Sequence, residues 1–458
     1  MCSDVAWDMP KSRTTNYERV QFVILLYLAI YLLLNIAVWS WFLAHMHGPH
    51  RFPLGDRIER FGDLVRFTAK HQLGTDLRIA DTEHLLGSLF PRNYLPFAAV
   101  IYVFLLQACA PYAVIVFAGA VLGGIAVACT ALWRKARAFN AYRWYMGVCI
   151  FATGLTGWGT EHAIMRGNIE GVLTLFVLLG AWLYAQRHYR PAAIAFAAAA
   201  CIKPYPLLWL VLLARHKKFR EVGWGLCGAA VIILASLLVF DRNPLRAWHV
   251  IKGEGTFFAS YVVAFRSLRD TMMDHSLLET MKTITRIFVN GGFYFGPKEL
   301  LMSAPNSPFA RLLYYVDLYI TVPLCITIVK RVWNMPVLNQ VFALACVTTL
   351  LPFVANDYTL TVLLAPMGFG LIFLLQDVAE GAVNISTRQL LWFVLPCVWI
   401  MSINPLWVLH GVLKCIALFI LLAASVSVPL PSTLFGEIGH EETKKVTAST
   451  LGNQMLAQ

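Results

Sequence analysis

The chain has 458 residues, of which 59% are hydrophobic and 14% charged, with a mean hydropathy of +0.64. A soluble domain carries about 25% charged residues, so this composition excludes an ordinary soluble protein. The 37 Lys and Arg outnumber the 25 Asp and Glu to give a net charge of +12, which in so apolar a chain reads as membrane orientation and contact with anionic lipid rather than as a nucleic-acid surface. All cysteines except Cys2 lie in or beside apolar runs and none forms a CxxC pair, which argues against a disulfide framework and a zinc site.

The apolar runs are continuous rather than alternating, so helices and not barrel strands are expected. The first, residues 20–44, is too long for a signal-peptide core and is followed by the bulky Met46-His47-Gly48-Pro49, which predicts a retained first span. Lys11, Arg13 and Arg19 precede it and place the amino terminus in the cytoplasm by the positive-inside rule. A loop over 45–94 is then expected outside, and residues 95–110 form a half-buried helix, too short to cross, leading into a span at about 111–132. Further spans are predicted at about 144–160, 171–186, 222–240, 309–329, 338–355, 358–376, 389–403 and 406–428. Residues 191–214 read as two short helices meeting at Lys203-Pro204. The short connections RKARAFNAYR, RHYR, RHKKFR and KR carry the basic residues expected inside, and the long segment 241–308 is expected outside. The fold class is therefore all-α and polytopic, with about twelve spans of about 20 residues and both termini cytoplasmic. Its parts are a short segment 1–19, a membrane domain 20–428, and a polar tail 429–458 that reads as disordered.

Ionisable residues near membrane depth are costly and each needs a reason. Asp63, in the first outer loop, is either a general base or one more charge on an amphipathic helix with Arg60, Arg66 and Lys70. The stretch GTEHAIMRGNIEG (159–171) holds Glu161, His162, Arg166, Asn168 and Glu170 between two spans, with no HExxH metal motif. Lys203 is either a snorkelling end residue or a cation aimed at an anionic substrate group by a broken helix. Asn356, Asp357 and Tyr358 interrupt two apolar runs and read as a tight outer turn. The Gly-rich pieces of 241–308 match neither a P-loop nor a dinucleotide fingerprint.

Five segments, in this order, resemble a known family. They are GDLVRFTAKHQLG (62–74), NYLPFAAVIY (93–102), the stretch 166–220 with its Lys-x-Tyr-Pro break, DHSLLE (274–279) and PFVANDYTLTVLLAP (352–366). The chain thereby resembles the bacterial polyprenol-phosphate-mannose-dependent mannosyltransferases, glycosyltransferase family 87 of the GT-C superfamily. It departs from that pattern at Leu95-Pro96, where Pro-Pro is common, and at Asp357, where histidine is often found.

The resemblance implies a hexosyl, most simply mannosyl, transfer from a polyprenyl-phosphate sugar to a lipid-linked or glycolipid acceptor at the outer face of a bacterial inner membrane. It implies Asp63 as general base of an inverting displacement, Lys203 and Arg166 at the donor phosphate, and Asn168, Glu170, Asn356, Asp357 and Tyr358 at sugar or acceptor. No metal and no cofactor are implied, because side-chain cations suffice to neutralise a single phosphate. Two other classes stay open: a secondary transporter or flippase using the same intramembrane charges, against which no internal repeat is visible, and a non-catalytic partner in envelope assembly.

Overall fold

The computed structural model describes residues 11–45, 95–109, 112–135, 140–249, 252, 274–290, 308–350, 352, 355, 357–379, 381, 383–402 and 409–431. Among these, every regular element is helical. In chain order they are α1 (Lys11–His45), α2 (Pro96–Cys109), α3 (Ala113–Lys135), α4 (Asn140–Thr156), α5 (Trp158–Arg166), α6 (Glu170–Ala185), α7 (Tyr189–Ile202), α8 (Val211–Arg215) and α9 (Phe219–Phe240). They continue with α10 (Leu277–Asn290), α11 (Pro308–Trp333), α12 (Val337–Leu350), α13 (Leu364–Pro366), α14 (Ile372–Ala379), α15 (Thr387–Met401) and α16 (His410–Ser427). Asp63, Asn356, the loop after His45, most of 241–308 and the tail from 432 lie outside the described residues.

Among the described residues, four helical stretches are long and apolar enough to cross a membrane: Asn16–Val38, Ala113–Arg134, Phe219–Phe240 and His410–Ser427. Several turn large side chains outward, Leu33, Ile115, Val127 and Val231 among them, as a face in contact with lipid chains requires. Of the shorter apolar helices, α12 is buried almost throughout, whereas α2 and α15 expose Phe104 and Trp392.

Small residues set the closest packing. α7 is largely alanine, and α6 and α9 both lie against it. A methyl group on Gly180 of α6 would meet Phe196 of α7 at 2.5 Å, and one on Gly225 of α9 would stand 3.2 Å from the Ala193 carbonyl. Close helix approach through small side chains replaces the hydrophobic drive that is weak between helices in lipid. α1 is tied to α4 by polar contacts, with the hydroxyls of Tyr27 and Thr153 at 2.7 Å and Tyr31 donating to the Thr156 carbonyl at 2.6 Å.

Two readings change in detail. The stretch 159–171 is not an open loop, because α5 occupies Trp158–Arg166 and buries His162. Residues Asp357–Leu363 are not an outer turn but a buried 3-10 helix, leading through α13 into a π-helical segment at Met367–Leu371. Asp357 Oδ2 and the hydroxyls of Thr359 and Thr361 find hydrogen-bond partners inside the bundle, while Asp357 Oδ1 has charged groups near it but no hydrogen-bond partner among the described residues.

Candidate functional site

The break at Lys203 follows from Pro204. A residue before proline is driven out of the α region by the pyrrolidine ring, and Lys203 is extended at φ −142° and ψ 145°. Pro204 then opens a 3-10 helix, Tyr205–Leu210. α6 starts at Glu170 and α7 ends at Ile202, and the two pack side by side through the turn at 186–188. That antiparallel arrangement brings Glu170 and Lys203 to the same end of the bundle.

There the Lys203 ammonium pairs with Glu170 Oε1, and the Tyr205 hydroxyl donates to Glu170 Oε2. Glu170 is fully buried and Lys203 nearly so. The ammonium also lies 5.3 Å from the centroid of the Tyr358 ring, within cation–π range.

The turn that launches α6 is held by its own residues and by α2. Gly167 adopts φ 62°, the left-handed conformation open to glycine at little steric expense. Asn168 Oδ1 accepts from the Glu170 N–H at 3.0 Å. The Tyr102 hydroxyl donates to the Gly167 carbonyl at 3.0 Å and accepts from the Ile169 N–H at 2.9 Å. Leu95 N–H donates to the Ile202 carbonyl at 3.2 Å, so the start of α2 also closes the end of α7. Leu95 and Tyr102 thereby attach this stretch to both sides of the Glu170–Lys203 pair.

Asp357 opens the neighbouring 3-10 helix and is fully buried. Its Oδ2 accepts from Trp158 Nε1 and lies 2.6 Å from His410 Nε2. Its Oδ1 lies 3.5 Å from His275 Nδ1 and 3.7 Å from Lys414 Nζ. His275 reaches on to the Thr359 hydroxyl through Nε2 at 3.1 Å. The segment carrying His275 is fixed to the chain just before Asp357: Asp274 Oδ1 accepts from the Ala355 N–H at 3.0 Å, and His275 N–H donates to the Ala355 carbonyl at 2.9 Å.

Gly159 of α5 lets that helix lie against the 3-10 helix, since a methyl group there would stand 3.0 Å from Thr361 N and 3.2 Å from the Asp357 carbonyl. His162, one turn along α5, stacks on Tyr358 at 5.8 Å and 14°. Burial pushes its imidazole down to about 3, so the ring is neutral, and its Nδ1 finds no hydrogen-bond partner among the described residues. Burial likewise pushes Glu161 up to about 7.

Of the residues singled out from sequence, Glu170, Lys203 and Tyr358 meet directly, and Asp357 adjoins them through Tyr358. Arg166 lies in the last turn of α5, where its charge acts on His162. Asn168 is occupied in capping the α6 turn. Asp63 and Asn356 lie outside the described residues. The sequence reading missed Trp158, Tyr102, Tyr205, His275, His410 and Lys414. The last two carried a signal, being ionisable groups inside an apolar span. Among the described residues no group of three or more His, Cys, Asp or Glu is arranged to hold a metal ion.

Residues 93–284 match the sequence model of glycosyltransferase family 87. The matched stretch contains Tyr102, Trp158, His162, Glu170, Lys203 and His275, and it ends before Asp357, His410 and Lys414. No curated protein and no solved structure matches the chain.

Proposed function

From the match of residues 93–284 to glycosyltransferase family 87, we propose that the chain moves a sugar, most simply mannose, from a polyprenyl-phosphate donor to a lipid-linked or glycolipid acceptor. The observation that supports this reading best is the buried Lys203 ammonium, presented at a helix break and held by Glu170. A departing lipid phosphate gains negative charge, and a preorganised cation in a water-poor site stabilises that charge far better than water does. The Glu170 carboxylate and the Tyr358 ring fix where the ammonium stands before the donor arrives, which removes part of the reorganisation from the reaction.

In this reading Asp63 is the general base that takes the acceptor hydroxyl proton as the anomeric carbon inverts. Arg166 is a second cation for the phosphate. His162 and Tyr358 offer stacked ring faces to the sugar, with His162 Nδ1 available to one of its hydroxyls. Asn356 remains assigned to sugar or acceptor. Asp357 is reassigned from sugar ligand to internal support, because both of its oxygens are engaged by protein groups.

The outer membrane face is favoured because the basic turns at Arg187–Arg190 and Arg215–Arg220 lie at the far ends of the helices that carry Glu170 and Lys203. The test is transfer by the purified protein from polyprenyl-phosphate mannose to a lipid acceptor. The wild type is expected to transfer, and Asp63→Asn to lose roughly 10²- to 10⁴-fold while staying folded. Normal turnover by Asp63→Asn removes Asp63 as the base. Absence of transfer from any lipid-phosphate sugar removes the enzyme reading and favours transport.

A further inference from the structure

We infer that His410 and Lys414, on the first turns of the last helix, are positioning residues that hold the Lys203 ammonium in place through Asp357 and Tyr358. The inference rests on the reading of Lys203 as the donor-phosphate cation. The chain of contacts is short and buried throughout. His410 and Lys414 are one helical turn apart on α16, and both turn inward onto the Asp357 carboxylate, at 2.6 Å and 3.7 Å. All three side chains are fully buried. The Lys414 ammonium also lies 5.8 Å from the Trp158 ring, whose indole N–H donates to the same carboxylate.

Asp357 is the first residue of its 3-10 helix, so fixing it fixes the backbone of the next residue, Tyr358. The Tyr358 ring then stands between His162, stacked at 5.8 Å, and the Lys203 ammonium, 5.3 Å from its centroid. The close approach of Gly159 to the Asp357 carbonyl and to Thr361 N leaves the 3-10 helix no room to shift toward α5. Glu170 and Tyr358 are thus among the groups that hold Lys203, and the second is placed from α16.

Charge sets the form of this device. Asp357 is the carboxylate that balances Lys414, and a buried carboxylate or ammonium deprived of its partner relaxes by rearranging or by drawing in water. Removing Lys414 is expected to loosen Asp357 and with it Tyr358. Removing both charges leaves no unbalanced group at the junction.

The test uses the full chain in detergent as wild type, Lys414→Met, Lys414→Arg, Asp357→Asn and the Asp357→Asn/Lys414→Met pair. Folding is checked by monodisperse elution and helical circular dichroism. Binding of undecaprenyl phosphate reads the Lys203 site without requiring turnover. Lys414→Met is expected to raise its Kd roughly tenfold, as misplacement of a binding group does. Lys414→Arg is expected to restore most of that loss, and the double variant to bind more tightly than Asp357→Asn alone.

In the transfer assay the same substitutions are expected to raise the donor KM more than they lower kcat. A folded Lys414→Met protein with wild-type Kd overturns the inference, as does a double variant that binds no better than Asp357→Asn. If Lys414→Met does not fold, the arginine and double variants decide on the same readouts. A wild type that binds the lipid phosphate but transfers no sugar overturns the transferase reading instead, and leaves the binding comparison to decide this one.

Discussion

Two buried carboxylates, each facing a lysine, sit side by side in this protein and are built in different ways. Glu170 and Lys203 come from adjacent antiparallel helices, separated by one turn and one proline break. Asp357 instead gathers Trp158, His275, His410 and Lys414 from three other parts of the chain. The first lysine is presented at a break, beside a carboxylate and a tyrosine ring. The second lies inside the first turns of a membrane helix and is spent on structure. In the proposed reading similar pairs of residue types serve a ligand in one place and the fold in the other, and the difference lies in whether the helix ends at the charge or continues through it.

The substitution with the largest expected effect is Lys203→Met, which should lower transfer about 100-fold or more, as removal of a group that stabilises developing negative charge does. It also strands Glu170 in the interior, and breaking a buried pair from one side destabilises by about 3–5 kcal/mol. Adding Glu170→Gln should recover thermal stability but not transfer. Recovery of both would show that the pair is structural, and the contrast with the Asp357 junction would collapse.

Tyr102→Phe tests the support beneath the first pair. It leaves the Gly167 carbonyl and the Ile169 N–H without their shared partner, a loss of about 1–3 kcal/mol for each buried group so stranded. Thermal unfolding in detergent should show the drop; an unchanged midpoint would mean that water replaces the hydroxyl. Gly167→Ala acts on the same turn through the backbone. The positive φ there disfavours any β-carbon, by about 1 kcal/mol, and a smaller loss of stability should follow. An increase would mean that the turn relaxes out of the left-handed region.

A pH-dependent effect is expected at Glu161. Its proton is held up to about 7 in the folded protein against an ordinary 4.5, because burial opposes the charged form. The folded state then binds more protons than the unfolded chain, so this contribution to stability is full below 4.5 and is lost as pH rises through about 7. Melting midpoints from pH 4 to pH 8 should decline for this reason, and Glu161→Gln should flatten the decline. An identical slope in the two proteins would remove Glu161 as its source.

Much of the architecture was legible in the residues. Apolar runs of bilayer length marked α1, α3, α9 and α16, because the hydrocarbon core imposes a length on any helix that crosses it alone. Lys203-Pro204 marked the helix break, because proline acts on its immediate neighbour. The capping box at Ser386 and Gln389 that opens α15 is local in the same sense. The inner helices were harder to bound: α12 is shielded by other helices rather than by lipid, and the segment from Asp357 to Ala379 passes through 3-10, α and π turns that no single periodicity describes.

The hydrophobic composition, the break at Lys203 and the match of residues 93–284 to a glycosyltransferase family were thus decided along the chain, where the physics concerns a residue and its near neighbours. The tertiary structure decided which charges share a site. Asp357 looked like a turn residue until His275, His410 and Lys414 were brought to it, and Tyr102 looked like one aromatic among many until it reached the α6 turn. A carboxylate inside a bundle takes its character from the partners that surround it, and those partners lie far away in sequence.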